Sequence, residues 1–237
     1  MWEKMIQRAI LARNPDDPID YVQKVVKPIA IAKAFSSLKE CENKCNGCLS
    51  DRLQLRDNIY ADIMVINESI DEYQKDQEVI YPLEGALGDN YFNKFLEHFK
   101  LSREDFFIVN LVNCFTHKSV NGEQIFRIPT KTEINNCKPY LKKIIRAIQP
   151  KLIILFGSSA LHTFVNKSIS EYHGKLFKID GIPAIGTYHP SYFDRAANVR
   201  SESEIETLKD EFVEDLIKGL MHYGKENNKK TINIERG

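Results

Sequence analysis

Four short apolar runs set the strongest limit on what this chain can fold into: residues 61–66 (ADIMVI), 106–112 (FFIVNLV), 151–156 (KLIILF) and 182–188 (IPAIGTY). Each has strand length and is apolar almost throughout, as a strand covered on both faces requires. Stretches with helical spacing separate them, at 88–99, 130–148 and 204–223. Thr130 with Glu133 three residues on is a capping-box pattern that opens the second of these. Strands alternating with helices predict an α/β fold whose sheet is mostly parallel. Residues 1–40 read as a helical extension with a break at 14–18 (NPDDP), and 224–237 as a polar tail, which leaves 41–223 as the main domain. In such folds ligands sit beyond the carboxyl ends of the strands. The segments that follow Ile66, Val109, Phe156 and Thr187 carry Asn67-Glu68-Ser69, Asn110 with Cys114, Gly157-Ser158-Ser159, and Tyr188-His189-Pro190-Ser191.

Charge says less than placement. The 237 residues hold 33 Lys+Arg against 33 Asp+Glu, so there is no bulk attraction to a polyanion. Residues 137–170 nevertheless carry six basic side chains and no acid, whereas 67–90 carry seven acids and one Lys. No apolar run approaches the roughly 20 residues needed to span a bilayer, and the first residues lack the apolar core of a secretory signal. A cytoplasmic monomer is the expectation. Five cysteines are too few for a disulfide scaffold. Cys41, Cys45 and Cys48 crowd one segment, and Asn46-Gly47 gives the Cys45-x-x-Cys48 pair a tight turn. Cys114 and Cys137 could complete a four-thiolate site for zinc or an iron–sulfur cluster, or be buried small hydrophobes.

Taken in order, the motifs resemble the iron–sulfur branch (family four) of the uracil-DNA glycosylase superfamily. The resemblance begins at Cys45-x-x-Cys48 with Arg52 just beyond, and continues through Asn110-Leu-Val-Asn-Cys114 and Arg127-Ile-Pro129-x-x-x-Glu133-x-x-x-Cys137. It then takes in 149–160 (QPKLIILFGSSA) and Thr187-Tyr188-His189-Pro190-Ser191-x-x-x-Arg195. Five pieces in the right order and spacing are far more specific than any one of them. The resemblance implies a three-layer α/β/α sandwich around a four-stranded, mostly parallel sheet. It implies a structural [4Fe–4S] cluster on Cys45, Cys48, Cys114 and Cys137, with Cys41 a spare thiol. It implies hydrolysis of the N-glycosidic bond of a uracil-type base flipped out of single- or double-stranded DNA, in base excision repair. His189 would stabilise charge on the base oxygen, and Asn110 would read the base edge. Glu68 would orient water or support the cation-like sugar. Ser191 and the Gly157–Ser159 backbone would hold phosphates, and Phe193 and Arg195 would fill the gap left by the flipped base, with packing the plainer role for Phe193.

Departures from the family pattern cluster at one end of the site. Where the family has Gly-Glu-Ala-Pro-Gly, this chain has Asn67-Glu68-Ser69-Ile70-Asp71. Where an aromatic ring should stack on the base there is Leu83, with Tyr81 two residues before it. Such a platform is worth about 1–3 kcal/mol per base. The changes fit a pocket reshaped for a 5-substituted uracil, or a weakly catalytic protein that binds DNA or a partner. Two other classes compete: a radical-SAM enzyme using Cys41, Cys45 and Cys48, and a zinc-bearing binding module.

Overall fold

The structure, a computed structural model, describes residues 26–37, 45, 47–54 and 58–227. Cys41, most of the 1–40 extension and the end of the polar tail lie outside the described residues. The elements in chain order are α1 (Lys27–Ser36), β1 (Ile63–Ile70), α2 (Asp89–His98), β2 (Phe106–Phe115), β3 (His117–Val120), β4 (Glu123–Phe126), α3 (Lys131–Ile148), β5 (Leu152–Phe156), α4 (Ser158–Val165), α5 (Ile169–Tyr172), β6 (Leu176–Ile179), β7 (Ile182–Thr187), α6 (Ser191–Ala196) and α7 (Glu202–Glu226).

The central sheet has the order β2-β1-β5-β7-β6. Its first three pairings are parallel and β6 joins antiparallel. Every residue of β1, β2 and β5 is buried, because helices cover both faces. Alternate residues feed alternate layers, as the period of two demands. Met64, Ile66, Phe107 and Val109 join a cluster with α1, α3 and α4. Ile63, Val65, Phe106 and Ile108 join the opposite cluster with α2, α6 and α7. There Phe92 packs edge-on against Phe106 and Phe156, each with ring centroids 5.5 Å away.

The three-layer α/β/α reading therefore holds, with five strands rather than four. The extra strand, β6, is short and half-exposed at the sheet edge, so it lacks the apolar run of the others. Asp180-Gly181 joins it to β7, both residues at positive φ (48° and 88°). Asn121-Gly122 does the same for the β3–β4 hairpin (52° and 87°). Asn-Gly and Asp-Gly suit the tight hairpin turn that matches strand twist.

Two strands also run further than the apolar runs suggested. β2 continues to Phe115 and β1 to Ile70, so Asn67, Glu68 and Cys114 lie on strands and not in loops. β1 pairs with β5 only over Ile63–Ile66, and beyond that its ladder partner is β2 alone. The chain leaves β1 toward β2 and later returns to β5 on the other side. The crevice opens at that reversal, where open α/β sheets place their ligands.

The hairpin is tied to the sandwich through α3. Thr130 caps the helix with Glu133, and Arg127 meets the Glu133 carboxylate through both of its terminal nitrogens, at 2.8 and 2.9 Å. Arg127, foremost, holds the Glu133 carboxyl down to about 2. A depressed carboxylate contributes stability above its unfolded pKa of about 4.3 and loses it as pH falls toward the folded value. Glu133→Gln is therefore expected to cost about 1 kcal/mol at pH 7. It should also flatten the loss of stability between about pH 4 and 2 in urea titrations.

Candidate functional site

The site is built where β1, β2, β5 and β7 end. Asn67 and Glu68 come from β1, Asn110 from β2, Gly157 from the β5–α4 turn, Ser159 from the first turn of α4, His189 from the β7–α6 turn and Ser191 from the start of α6. Two glycines permit the approach. Gly157 has φ +91°, and a Cβ there would lie 3.1 Å from the His189 Cβ. Gly88 has φ +92°, and a Cβ there would lie 2.7 Å from the Pro190 carbonyl carbon and against the Ser191 nitrogen. Those neighbours are backbone and cannot swing aside. Gly88→Ala is expected to destabilise by about 2 kcal/mol or more in denaturant titrations, and to displace the His189 turn.

His189 has a defined tautomer. The Ser191 backbone N–H donates to His189 Nδ1 at 3.2 Å, and Ser191 Oγ lies 2.7 Å from the same nitrogen. A ring nitrogen that accepts carries no proton, so the imidazole proton sits on Nε2. Nε2–H donates to Asn67 Oδ1 at 2.7 Å. Burial, aided by the Arg195 charge, pushes the His189 pKa down to about 3. The ring is neutral across the physiological range.

Asn67 links His189 to Asn110. Its Nδ2 donates to Asn110 Oδ1 at 2.9 Å and to the Ser69 carbonyl at 3.3 Å. Asn110 Nδ2 and Ser69 Oγ are buried without a partner among the described residues. Glu68 is 4% exposed, and burial pushes its pKa up against hydrogen bonds from Ser159 and the charge of Arg195. Its Oε1 has no partner.

A cavity of about 500 Å³ opens over these groups, lined among others by Glu68, His189, Tyr188, Tyr192, Arg195 and Phe126. Arg195 lies 5.3 Å from the Phe126 ring centroid, so the hairpin covers one side. Tyr188 and Tyr192 stack at 6.1 Å.

The expected residues are not all in one place. His189, Glu68 and Arg195 line the cavity, and Asn110 stands behind Asn67. Ser191 is 2% exposed and touches His189, not the surface. Tyr81 and Leu83 do not line the cavity. Leu83 is fully buried with Phe92 and the aromatic layer over the sheet, at φ +68°. Phe193 is likewise buried, edge-on to Tyr91 and Phe212. Sequence reasoning placed Asn67 and Tyr188 at the ligand edge without giving either a role, and missed Tyr192 and Phe126 as wall. The four-residue spacing of the tyrosines and the position of Phe126 just before Arg127 were the available signals.

A family profile described as the uracil DNA glycosylase superfamily matches residues 53–217. The chain belongs to this superfamily. It is 34% identical over 144 residues to a type-4 uracil-DNA glycosylase of Saccharolobus solfataricus, a match that covers 56% of this chain and 62% of that protein. It is 28% identical over 138 residues to one of Archaeoglobus fulgidus (54% and 65%). It is 32% identical over 141 residues to one of Sulfurisphaera tokodaii (55% and 60%). The chain thus spans less than two thirds of the length of each of these relatives.

In this superfamily member the four matching cysteines are drawn together from three segments. Cys48 bridges antiparallel to Cys114, with Leu49 N donating to Asn113 O and Phe115 N to Gly47 O, both at 3.1 Å. Cys137 and Cys48 contact the Cys114 thiol, and their hydrogen bonds push its pKa far up. Asn136 Nδ2 lies 3.3 Å from Cys45 Sγ. All four thiols are free of disulfides. Among the described residues no group of three or more His, Cys, Asp or Glu side chains has the spacing that holds a single metal ion. Soft thiols, two of them buried and two half-buried, are still the donor set an iron–sulfur cluster takes, and that set fits the group the family resemblance implies. Nor is any helix among the described residues long and apolar enough to cross a membrane.

Proposed function

We propose that this chain is a DNA glycosylase that hydrolyses the N-glycosidic bond of a uracil-type base flipped out of DNA. The observation that carries this reading is the neutral His189, whose Nε2–H is aimed at an acceptor beside Asn110. Uracil leaves as an anion whose charge collects on its ring oxygens, so the barrier falls if a fixed donor already faces one of them. His189 supplies that donor without giving up a proton, and Ser191 keeps the donor on Nε2. Asn110 offers an acceptor and a donor side by side, which matches the N3–H and O4 of uracil and opposes the reversed pattern of cytosine.

Glu68 lines the cavity beside His189, with one oxygen held by Ser159 and the other without a partner among the described residues. The Glu68 carboxylate orients the attacking water and offsets the positive charge that develops on the sugar. A carboxylate does this work only when ionised, so the raised pKa of Glu68 sets the acidic limb of activity. Tyr188, Tyr192 and Phe126 supply the stacking surface that Leu83 cannot. An adjoining cavity of about 620 Å³, which shares Ser158 with the first, is lined by Lys131, Lys138 and Lys167, and it suits the phosphate backbone of DNA.

Cys45, Cys48, Cys114 and Cys137 would hold a [4Fe–4S] cluster, which ties the 45–54 segment to β2 and α3. Four thiolates leave it no open position, so its contribution is structural. The test is incubation with an oligonucleotide containing one uracil, followed by alkali. Strand cleavage at that position is expected, and its absence from a folded, brown preparation would overturn the reading.

A further inference from the structure

We propose that the Asn67 carboxamide is a built-in surrogate for the edge of the target base, which fills the base's place in the resting protein and must leave before a base enters. The inference rests on the glycosylase reading above and deepens it. A carboxamide presents a carbonyl and an N–H side by side, as do C2=O and N3–H of uracil. Asn67 offers its carbonyl to His189 Nε2–H at 2.7 Å and its N–H to Asn110 Oδ1 at 2.9 Å. These are the two groups assigned to the base.

The orientation of that amide is fixed by its surroundings. Its nitrogen donates to the Ser69 carbonyl, which can only accept, and the Ser191 N–H forces the proton of His189 onto Nε2. Turning the Asn67 amide over would place two donors face to face at His189. One group is left over. Asn110 Nδ2 is buried with no partner among the described residues. Uracil has a second carbonyl to satisfy it; a side-chain amide does not.

The consequence is a competition. An entering base regains the two hydrogen bonds that Asn67 gives up, and its net gain is the third, to Asn110 Nδ2, together with stacking. Cytosine, with an acceptor at N3 and a donor at the 4-position, regains only one of the two and cannot accept from Asn110 Nδ2. Asn67 therefore weakens the binding of every base by the same factor, and the preference for uracil over cytosine rests on His189 and Asn110. Asn67 is 1% exposed. It sits on the part of β1 that pairs with β2 alone, just before the register shifts between Ser69 and Ile70. The backbone there has a ladder partner on one side only, so fewer backbone hydrogen bonds hold this end of β1.

The experiment is calorimetric titration of free uracil and free cytosine into the full chain, wild type and Asn67→Gly, with Asn67→Ala as a second variant should Gly weaken the strand. Thermal unfolding confirms that each protein is folded. Removing a competitor that holds two ordinary hydrogen bonds is expected to tighten uracil binding about 30-fold. The KM for uracil-containing DNA should fall in parallel, and cytosine binding should tighten by the same factor, so that discrimination stays unchanged. Equal or weaker uracil binding by both folded variants overturns the surrogate and leaves the glycosylase reading standing. No uracil binding by wild type or variants overturns both.

Discussion

His189→Ala is expected to slow uracil release by about 10²–10³-fold, the usual cost of losing one fixed donor to a developing oxyanion. DNA binding should change little, because the role proposed for His189 is at the base and not at the phosphates. The loss should fall on the single-turnover rate constant and not on the concentration for half-saturation. The pH profile separates this role from proton donation. A His that gave up its proton near its ordinary pKa of about 6.5 would make the rate fall above pH 7. His189 is held neutral down to about pH 3, so the rate should stay flat on the alkaline side. The acidic limb belongs to Glu68, and Glu68→Gln should remove it along with most of the rate. His189 also carries a stability signature. Its folded pKa lies below its unfolded one, so the unfolded state binds the extra proton between about pH 6.5 and 3. Stability therefore drops as pH falls through that window, and His189→Ala should remove this part of the acid sensitivity.

The second large effect concerns the thiols. Cys114→Ala and Cys137→Ala each delete a buried sulfur at the point where the 45–54 segment, β2 and α3 meet. Both variants should lose the brown colour of the cluster. Ligand binding to the native state contributes directly to its stability, so losing the cluster removes that contribution. At about 2–4 °C per kcal/mol for a chain of this size, a melting temperature lower by about 10 °C or more is expected. The cysteine replacements should act through loss of structure, with base release failing as the fold loosens. Cys41→Ala should keep both colour and activity, and a colourless Cys41→Ala protein would favour the radical-SAM alternative.

How legible all this was in the sequence depended on what each residue does. The buried strands announced themselves because a strand covered on both faces is apolar almost throughout, and the polar residues of β1 and β2 fall at the site. β6 did not, because an edge strand is half-wet and only its Asp180-Gly181 turn marks it. The His189 turn and Asn110 stood out because their chemistry depends on residue type at a fixed spacing. Asn67 did not, since the motif around it reads as degraded when only the missing glycines are noticed. What the side chain gains by replacing glycine is visible only with His189 and Asn110 in place around it. Leu83 shows the converse. Its position in the motif points to the pocket, yet its side chain belongs to the aromatic layer with Phe92, and the rings at the cavity come from Tyr188, Tyr192 and Phe126 on other elements.

The most direct measurement is mass-spectrometric detection of free base from two otherwise identical oligonucleotides, one with a single uracil and one with cytosine at that position. The wild-type chain is expected to release uracil and leave cytosine in place, and His189→Ala to release neither at a comparable rate. A folded, cluster-loaded wild type that releases no uracil, or releases it as fast without His189, would contradict the account.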